Sequence, residues 1–295
     1  MGSTITRGCN FIHANARPLE RAICALWFDG ATCKDVENAV APFAVGRGFG
    51  RGLEPDCFAD YPSVLDTCMA GDILHEACVH DGEHYERVGY FLASEFDREA
   101  RVWQIRPAAD EATPSAPWWR AASDAEIRER FNGCIFNPTA HAVTMPIADD
   151  EVKRLALEAL RERIKATDDC TEMHDLQCLA RFGKSHLATD GERDKIASWI
   201  GKAVETDPAK WGGYCLRPLA IIDSPNHFAL DAVGKSAVEA DLDLTIAEQG
   251  DDGGWHPAWQ WDDKFPGEWQ CAEQAWSGIL TLANLRKLRA FDRDD

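Results

Sequence analysis

The sequence of this chain predicts an all-α fold, and three features carry the prediction. Apolar side chains recur every three or four residues in most long segments, which places them on one face of a helix. Residues that start helices, proline and serine in particular, stand in front of several of these segments. Only REARVWQIRP, with Val102, Gln104 and Arg106 in alternation, has the period of a strand.

The helical segments follow one another along the chain. ARPLERAICALWF has Pro18 in its first turn, where the missing N–H costs no hydrogen bond. Pro62 and Ser63 open YPSVLDTCMAGDILHEAC. DDEVKRLALEALRERI places Val152 and Ile164 on an apolar face and its charges on the opposite face. The remaining predicted helices are HYERVGYFLASEFD, MHDLQCLARFGKS, RDKIASWIGKAV, AVEADLDLTIAEQ and EQAWSGILTLANLRKLRAF.

Several connections between these helices combine glycine with an aromatic residue. They are VGRGFGRGLEPD, AKWGGYCLRPL and DDGGWHPAW. Glycine permits a left-handed backbone and close approach of another segment, so the aromatic ring after it can fold back onto the preceding helix. A turn of this kind that recurs between helix pairs is typical of repeated helical hairpins.

One long segment interrupts the helices. We expect residues 1–295 to form one domain, with an insertion loop at about 104–137 that is rich in proline and alanine. Trp118 and Trp119 in this loop favour a packed lid or a pocket wall over disorder. We expect Asn137, in the sequence Asn-Pro-Thr, to cap a helix at the end of the loop.

Composition limits the classes of partner. Hydrophobic residues make up 45% of the chain, enough for a real core, and the net charge is −19. A negative chain is a poor match for nucleic acid or an anionic membrane, and no apolar run is long enough to cross a bilayer. The 11 cysteines are scattered without a C-x-x-C pair, and the N-terminus lacks the apolar core of a signal peptide. We therefore expect a protein of a reducing compartment, the cytoplasm; the sequence leaves its oligomeric state open.

The segment EQGDDGGW resembles the Q-x-x-x-G-G-W turn of the terpenoid cyclase and prenyltransferase superfamily, the squalene-cyclase-like repeat proteins. NARPLERAICALWFDG with GRGFGRGLEPD, and later APWW, FNPTA and LRKLRAF, are similar to landmarks of a little-characterised branch of it. The resemblance implies an α/α toroid, a double ring of helical hairpins around a central cavity. It also implies that Gln249 and Trp255 staple neighbouring hairpins.

The chain departs from the catalytic motifs of that superfamily. The nearest match to the D-x-D-D acid motif is DLDL, which begins at Asp241 and lacks the last aspartate. DDCTE, from Asp168 to Glu172, has the D-D-x-x-D/E pattern of metal-dependent enzymes, but no second metal motif follows it. Asp168 and Asp169 are also explained as carboxylates near a helix N-terminus. There is no G-x-G-x-x-G that opens a helix and no P-loop. We therefore predict no metal and no cofactor.

The candidate catalytic residues are acids and hydrogen-bond donors near the predicted turns. Glu54 and Asp56 follow the first glycine turn, and a carboxylic acid in an apolar pocket holds its proton and can donate it. An ion pair of Glu54 with Arg47 or Arg51 is the structural alternative. His174 and Asp175 open a helix, and Tyr214 follows a glycine pair.

The candidate substrate-binding residues are mostly aromatic. Aromatic rings more often form core than line a pocket, and polar groups in loops often bond their own turn. Trp255 is assigned to structure for that reason. The candidates are Phe49, Trp118, Trp119, Asn137, Trp211, His227, Trp259 and Trp261.

Three functions remain open at this stage. The first is a natural-product enzyme that holds a small hydrophobic substrate, an oxidised terpenoid, and cyclises it without metal, by acid assistance or by a pericyclic [4+2] reaction of the Diels–Alder type. It would be an isomerase or lyase of secondary metabolism. The second is a carbohydrate-active enzyme, a glycosidase or lyase, with paired carboxylates and stacking tryptophans. The third is a non-catalytic binder of a hydrophobic metabolite.

Overall fold

The structure, a computed structural model, describes residues 3–293, and the all-α prediction is confirmed for them. Its α-helices are α1 (Thr4–Asn15), α2 (Pro18–Cys24), α3 (Cys33–Val40), α4 (Val64–Glu76), α5 (Glu83–Ser94), α6 (Asp124–Arg130), α7 (Thr139–Ala142), α8 (Asp150–Ala166), α9 (Met173–Lys184), α10 (Asp190–Ala203), α11 (Leu230–Val233), α12 (Lys235–Ala247) and α13 (Pro266–Ala290). A π-helix, Ala25–Asp29, extends α2.

The strands of residues 3–293 form two short antiparallel hairpins. They are β1 (Ala44–Val45) with β2 (Gly48–Phe49), and β3 (Phe96–Asp97) with β4 (Val102–Trp103). Of the segment REARVWQIRP, which the sequence predicts to be a strand, only Val102–Trp103 is a strand in the structure. In the second hairpin Phe96 lies opposite Trp103, and the two rings pack with centroids 4.7 Å apart.

The helix-start signals act as predicted. Pro18 is the first residue of α2. The Ser63 side chain accepts a hydrogen bond from the Asp66 backbone N–H, 3.0 Å away, at the start of α4. Such a cap satisfies one of the N–H groups that a helix leaves unpaired in its first turn, and stabilises the helix by about 1 kcal/mol.

Two local expectations need correction. Asn137 does not cap α7: the residue before the helix is Pro138, which makes no side-chain capping bond, and the Asn137–Pro138 peptide is cis. The predicted loop at 104–137 is also partly helical, since it contains α6 and a 3-10 turn at Pro117–Trp119. Most residues of α6 are polar, so apolar side chains do not recur at helical spacing in its sequence.

The glycine–tryptophan turn that resembles the toroid staple does tie separate helices together. Gln249 Nε2 donates to the Thr4 carbonyl oxygen at 2.9 Å and to the Gly253 carbonyl oxygen at 2.8 Å. The Trp255 indole N–H donates to the Thr245 carbonyl oxygen at 2.8 Å. The turn after α12 is thereby bonded to α1 at the other end of the chain.

Packing joins the two ends of the described chain. α13 lies against α1 and α2, and each helix from α1 to α5 also contacts the next one. A succession of helices that returns to its start is compatible with a closed ring. The double-ring arrangement of a toroid stays a prediction.

The buried apolar residues form two clusters. The larger one joins residues from α1 to α13. The smaller one combines the 104–137 segment with residues 57–61 and 261–272, and includes Trp119, Ile127 and Trp261. Within residues 3–293, no helix is long and apolar enough to cross a membrane.

Candidate active site

Glu54 and Asp56 lie in a tight turn after β2. Gly52 in this turn has a φ of +76°, and a Cβ there would stand 2.6 Å from the Phe58 ring, so both its conformation and its surroundings require glycine. The Asp56 carbonyl oxygen accepts a hydrogen bond at 2.8 Å from the Ala116 N–H, which lies in the 104–137 segment. The turn thus places both acids between the two apolar clusters. Glu54 is 5% exposed and Asp56 is 4% exposed.

Two indole groups hold the Asp56 carboxyl group. The N–H of Trp261, from the loop after α12, and the N–H of Trp276, from α13, each donate to Asp56 Oδ1 at 2.8 Å. Among the described residues no hydrogen bond to Asp56 Oδ2 has a defined geometry, although the indole N–H of Trp118 also lies near this carboxyl group. One oxygen is therefore fixed by two donors, and the other is free to carry a proton.

A buried ion pair stands beside the two acids. Arg106 Nη2 lies 2.7 Å from Asp66 Oδ2 and 3.5 Å from Glu54 Oε2. Asp66 is in turn fixed by the Ser63 hydroxyl group and by the Glu54 backbone N–H, which donates to Asp66 Oδ1 at 2.9 Å. We call Glu54, Asp56, Asp66 and Arg106 the acid cluster.

The acid cluster holds three carboxyl groups against one guanidinium. Burial raises the pKa of Glu54 to about 8; Arg106 opposes the shift, and Asp56 and Asp66 add to it. Burial also raises the pKa of Asp56, although the hydrogen bonds from Trp261 and Trp276 act in the opposite direction. Because Asp66 is already paired with Arg106, protonating Glu54 removes one of the two surplus negative charges, and protonating Asp56 removes the other.

Tryptophans enclose the acid cluster. The Arg106 guanidinium lies over the Trp119 ring at 4.5 Å from its centroid, and Trp119 stacks on Phe131 at 5.1 Å. Trp118 is near enough that its indole N–H lowers the pKa of Asp56 slightly. Trp259, which is 38% exposed, packs edge-on against Trp276 at 5.3 Å. The enclosure is thus aromatic on several sides.

Ion pairs join two chain segments that carry these tryptophans. The 104–137 segment meets the loop between α12 and α13 through an ion pair from Arg120 Nη2 to Asp262 Oδ2 at 2.6 Å. A second ion pair joins Glu111 to Lys264. Asp262 and Glu111 are exposed, so such pairs contribute little stability and weaken in salt.

Five of the sequence-predicted residues thus come together: Glu54, Asp56, Trp118, Trp119 and Trp261. Trp259 lies at the edge of this group. Asp66, Arg106 and Trp276 belong to the same site, but sequence reasoning missed them. Asp66 and Trp276 fall within predicted helices, and Arg106 lies in the predicted strand. The sequence held one signal for two of them: Asp66 and Arg106 are charged residues in otherwise mostly apolar segments, which indicates a buried ion pair.

Asp175 and Asn137 form a second buried group. Asp175 Oδ1 accepts the Asn137 backbone N–H at 3.0 Å, and Asp175 Oδ2 accepts from the Asn132 side chain at 3.2 Å. Burial raises the pKa of Asp175 to about 6, against the effect of the Asn132 hydrogen bond. These bonds hold the backbone before the cis-proline, which is a structural task.

The other candidates lie apart from the acid cluster, most of them in structural contacts. His174 is at the surface and bonds Glu172 at 2.8 Å. Tyr214 is 86% exposed. Trp211 is buried, and its indole N–H donates to the Glu205 carbonyl oxygen at 2.7 Å.

Phe49 and His227 are buried within the main body. Phe49 packs edge-on against His84, 6.0 Å away. His227 stacks on Phe228 at 4.7 Å, and burial lowers its pKa to about 4. Among the described residues, no hydrogen bond or ring contact joins either side chain to the acid cluster.

The two strings that resemble superfamily motifs have other partners. Asp241, in DLDL, is fully buried; it pairs with Arg217 and accepts the Leu219 N–H at 2.8 Å. Asp168 and Asp169, in DDCTE, are exposed, and Asp169 lies 3.4 Å from Lys202. Among residues 3–293, no cluster of three or more His, Cys, Asp or Glu side chains has the arrangement of a metal site.

Two surface grooves lie away from the acid cluster. One, of about 290 Å³, is lined by Trp27, Glu76 and Arg286, and the other, of about 210 Å³, by Ile5 and Asp292; both also border Phe28 and Arg289. Comparisons with protein-family models, with curated proteins and with solved structures found no match.

Proposed function

We propose that this protein is a natural-product enzyme that binds a small hydrophobic, oxidised terpenoid and cyclises it by proton transfer from Asp56, without a metal or cofactor. The observation that carries the proposal is the Asp56 carboxyl group, which is buried and is held through one oxygen by the indole N–H groups of Trp261 and Trp276.

This geometry suits a general acid. In the protonated state the proton sits on Asp56 Oδ2, which the two indole groups leave free. Burial favours the neutral acid and so makes the proton available to a substrate. When the proton leaves, the N–H groups of Trp261 and Trp276 stabilise the carboxylate that forms. This carboxylate then takes a proton from another carbon of the cyclised cation, so that the acid is restored and the product is an isomer of the substrate. Donors that are oriented in advance towards a developing charge lower the barrier without reorganisation.

The tryptophans supply the second requirement of a cyclisation. A cation that forms on a folded terpenoid is attracted by aromatic faces, by up to about 2 kcal/mol per ring when water is excluded. The rings of Trp118, Trp259 and Trp261 lie around the acid and would also hold the substrate in a reactive shape.

The two competing functions find less support. A glycosidase needs two carboxyl groups at the floor of an open groove, whereas Glu54 and Asp56 are buried and the two surface grooves are lined by other residues. A passive binder of hydrophobic metabolites has no use for acids with raised pKa values, because each buried acid costs stability.

We further propose that the enzyme works in the cytoplasm. Its 11 cysteines are all free, and many are buried among apolar groups, as is usual for proteins of a reducing compartment.

Turnover by matched variants tests the proposal. A panel of oxidised terpenoids is incubated with the wild type in the presence of a chelator, and products are detected by mass spectrometry. We expect Asp56→Asn to slow conversion of an accepted substrate by about 10²–10⁴-fold, the usual contribution of a general acid. Trp199→Phe is the control, since the indole N–H of this buried residue donates to the Asp168 carbonyl oxygen. Loss of activity in chelator, or a fully active Asp56→Asn, overturns the proposal.

A further inference from the structure

Four buried hydrogen-bonding atoms without partners lie in or beside the acid cluster. Among the described residues, the buried side-chain atoms that lack a partner include Arg106 Nε, Arg106 Nη1, Trp119 Nε1 and Glu54 Oε2. All three residues are at least nine-tenths buried. A buried polar group without a partner costs about 1–3 kcal/mol, so several in one place call for an explanation.

The donors among these atoms are held rigidly. Arg106 is fixed by its ion pair with Asp66 at 2.7 Å and by its stacking on Trp119 at 4.5 Å. These contacts use Nη2 and one face of the guanidinium, and leave Nε and Nη1 without acceptors. Trp119 is itself stacked on Phe131, so its free N–H is also fixed in direction. The fixed donors match a ligand that brings an acceptor oxygen.

The charges decide which kind of oxygen. Arg106 is already neutralised by Asp66, and Glu54 Oε2 stands 3.5 Å from the same guanidinium. A ligand carboxylate would add a surplus negative charge to a buried site that already holds three acidic side chains. A neutral carbonyl oxygen accepts the same hydrogen bonds without that cost.

We propose that Arg106, Trp119 and Glu54 bind a carbonyl oxygen of the substrate, so that the substrate is a hydrophobic ketone, enone or lactone. The identification of this ligand as the substrate rests on the proposed function. A neutral Glu54 adds one O–H donor to those of Arg106 and Trp119. Polarisation of the carbonyl group by these donors would activate it for the ring closure that Asp56 assists.

Binding of three rigid probes tests this without turnover. Adamantanone, adamantane and adamantane carboxylate share one hydrocarbon cage and differ in the polar group. We expect adamantanone to bind at least about 10-fold more tightly than adamantane, since hydrogen bonds to charged donors contribute about 1.5–3 kcal/mol. The carbonyl carbon resonance of bound adamantanone should move downfield from its position in an apolar solvent.

Variants locate the effect in the acid cluster. Trp119→Phe keeps the stacked ring and removes the N–H, so we expect the preference for adamantanone to fall by roughly 3–10-fold, the loss of one hydrogen bond. Trp199→Phe is the control and should leave the preference unchanged, because the Trp199 indole N–H donates to the Asp168 carbonyl oxygen and not to the acid cluster. Equal affinity for adamantanone and adamantane in the wild type, or tighter binding of the carboxylate, overturns the inference.

The two proposals fail separately. An unshifted carbonyl resonance together with an inactive Asp56→Asn variant would refute the carbonyl-binding site and support Asp56 as the acid. A shifted resonance together with a fully active Asp56→Asn variant would support the binding site and refute Asp56 as the acid.

Discussion

Glu54→Gln provides a test of the acid cluster that needs no substrate. Burial raises the pKa of Glu54 from 4.5 to about 8, so between these values the folded protein holds a proton that the unfolded chain has released. Over that window the free energy of unfolding falls as pH rises, by about 1.4 kcal/mol for each pH unit. Glutamine is neutral at every pH and has nearly the same shape.

The expected size follows directly. From about pH 5 to about pH 7 the wild type should lose roughly 2–3 kcal/mol relative to Glu54→Gln. The loss should be complete near the folded pKa and absent below the unfolded one. Urea denaturation at a series of pH values, followed by circular dichroism, measures the difference between the two proteins and cancels the groups that they share.

A surface carboxylate serves as the control. Glu158 is half exposed and pairs with Arg154 on α8, so Glu158→Gln should change stability by less than about 1 kcal/mol at every pH. Parallel stability curves for the wild type and Glu54→Gln would refute the claim that a neutral acid is buried beside Arg106.

Two further predictions concern stability and use the same denaturation assay. Arg106→Met leaves buried carboxylates without their cation and should lower the free energy of unfolding by about 3–5 kcal/mol. Arg51→Met removes a surface ion pair and should lower it by less than about 1 kcal/mol. Equal losses of stability would contradict the buried ion pair. Gly253→Ala should destabilise the protein by more than about 1 kcal/mol, because φ is +93° and the new Cβ would stand 2.5 Å from a carbonyl oxygen of α1. Gly191→Ala is the control: its Cβ meets open space on α10, so it should be neutral or stabilising. A Gly253→Ala variant as stable as the wild type would contradict the described turn.

The helices could be predicted because their signals are local. Ser63 before α4 and Pro18 at the start of α2 act within one turn of helix, so their effect does not depend on distant residues. The glycine–tryptophan turn is also local, and Trp255 is buried as predicted. The helix in the 104–137 segment was missed because tertiary contacts, not its own weak apolar period, bury Ile127.

The site could be predicted only in part, because long-range pairing decides it. Glu54 and Asp56 are two residues apart and stand out after a glycine turn. Arg106 pairs with Asp66, which is 40 residues away in the sequence. Trp276 donates to Asp56, which is 220 residues away. His174 shares a helix start with the buried Asp175, but its own side chain is half exposed and bonds Glu172.

Deuterium incorporation tests the central claim most directly. An accepted terpenoid is converted in heavy water by the wild type and by Asp56→Asn, and the product mass is measured. If Asp56 donates its proton to the substrate, the wild-type product carries one deuterium from the solvent at the protonated carbon, and Asp56→Asn forms it about 10²–10⁴-fold more slowly. A product without deuterium, formed equally fast by both proteins, would show that the ring closes without an acid and would contradict the account.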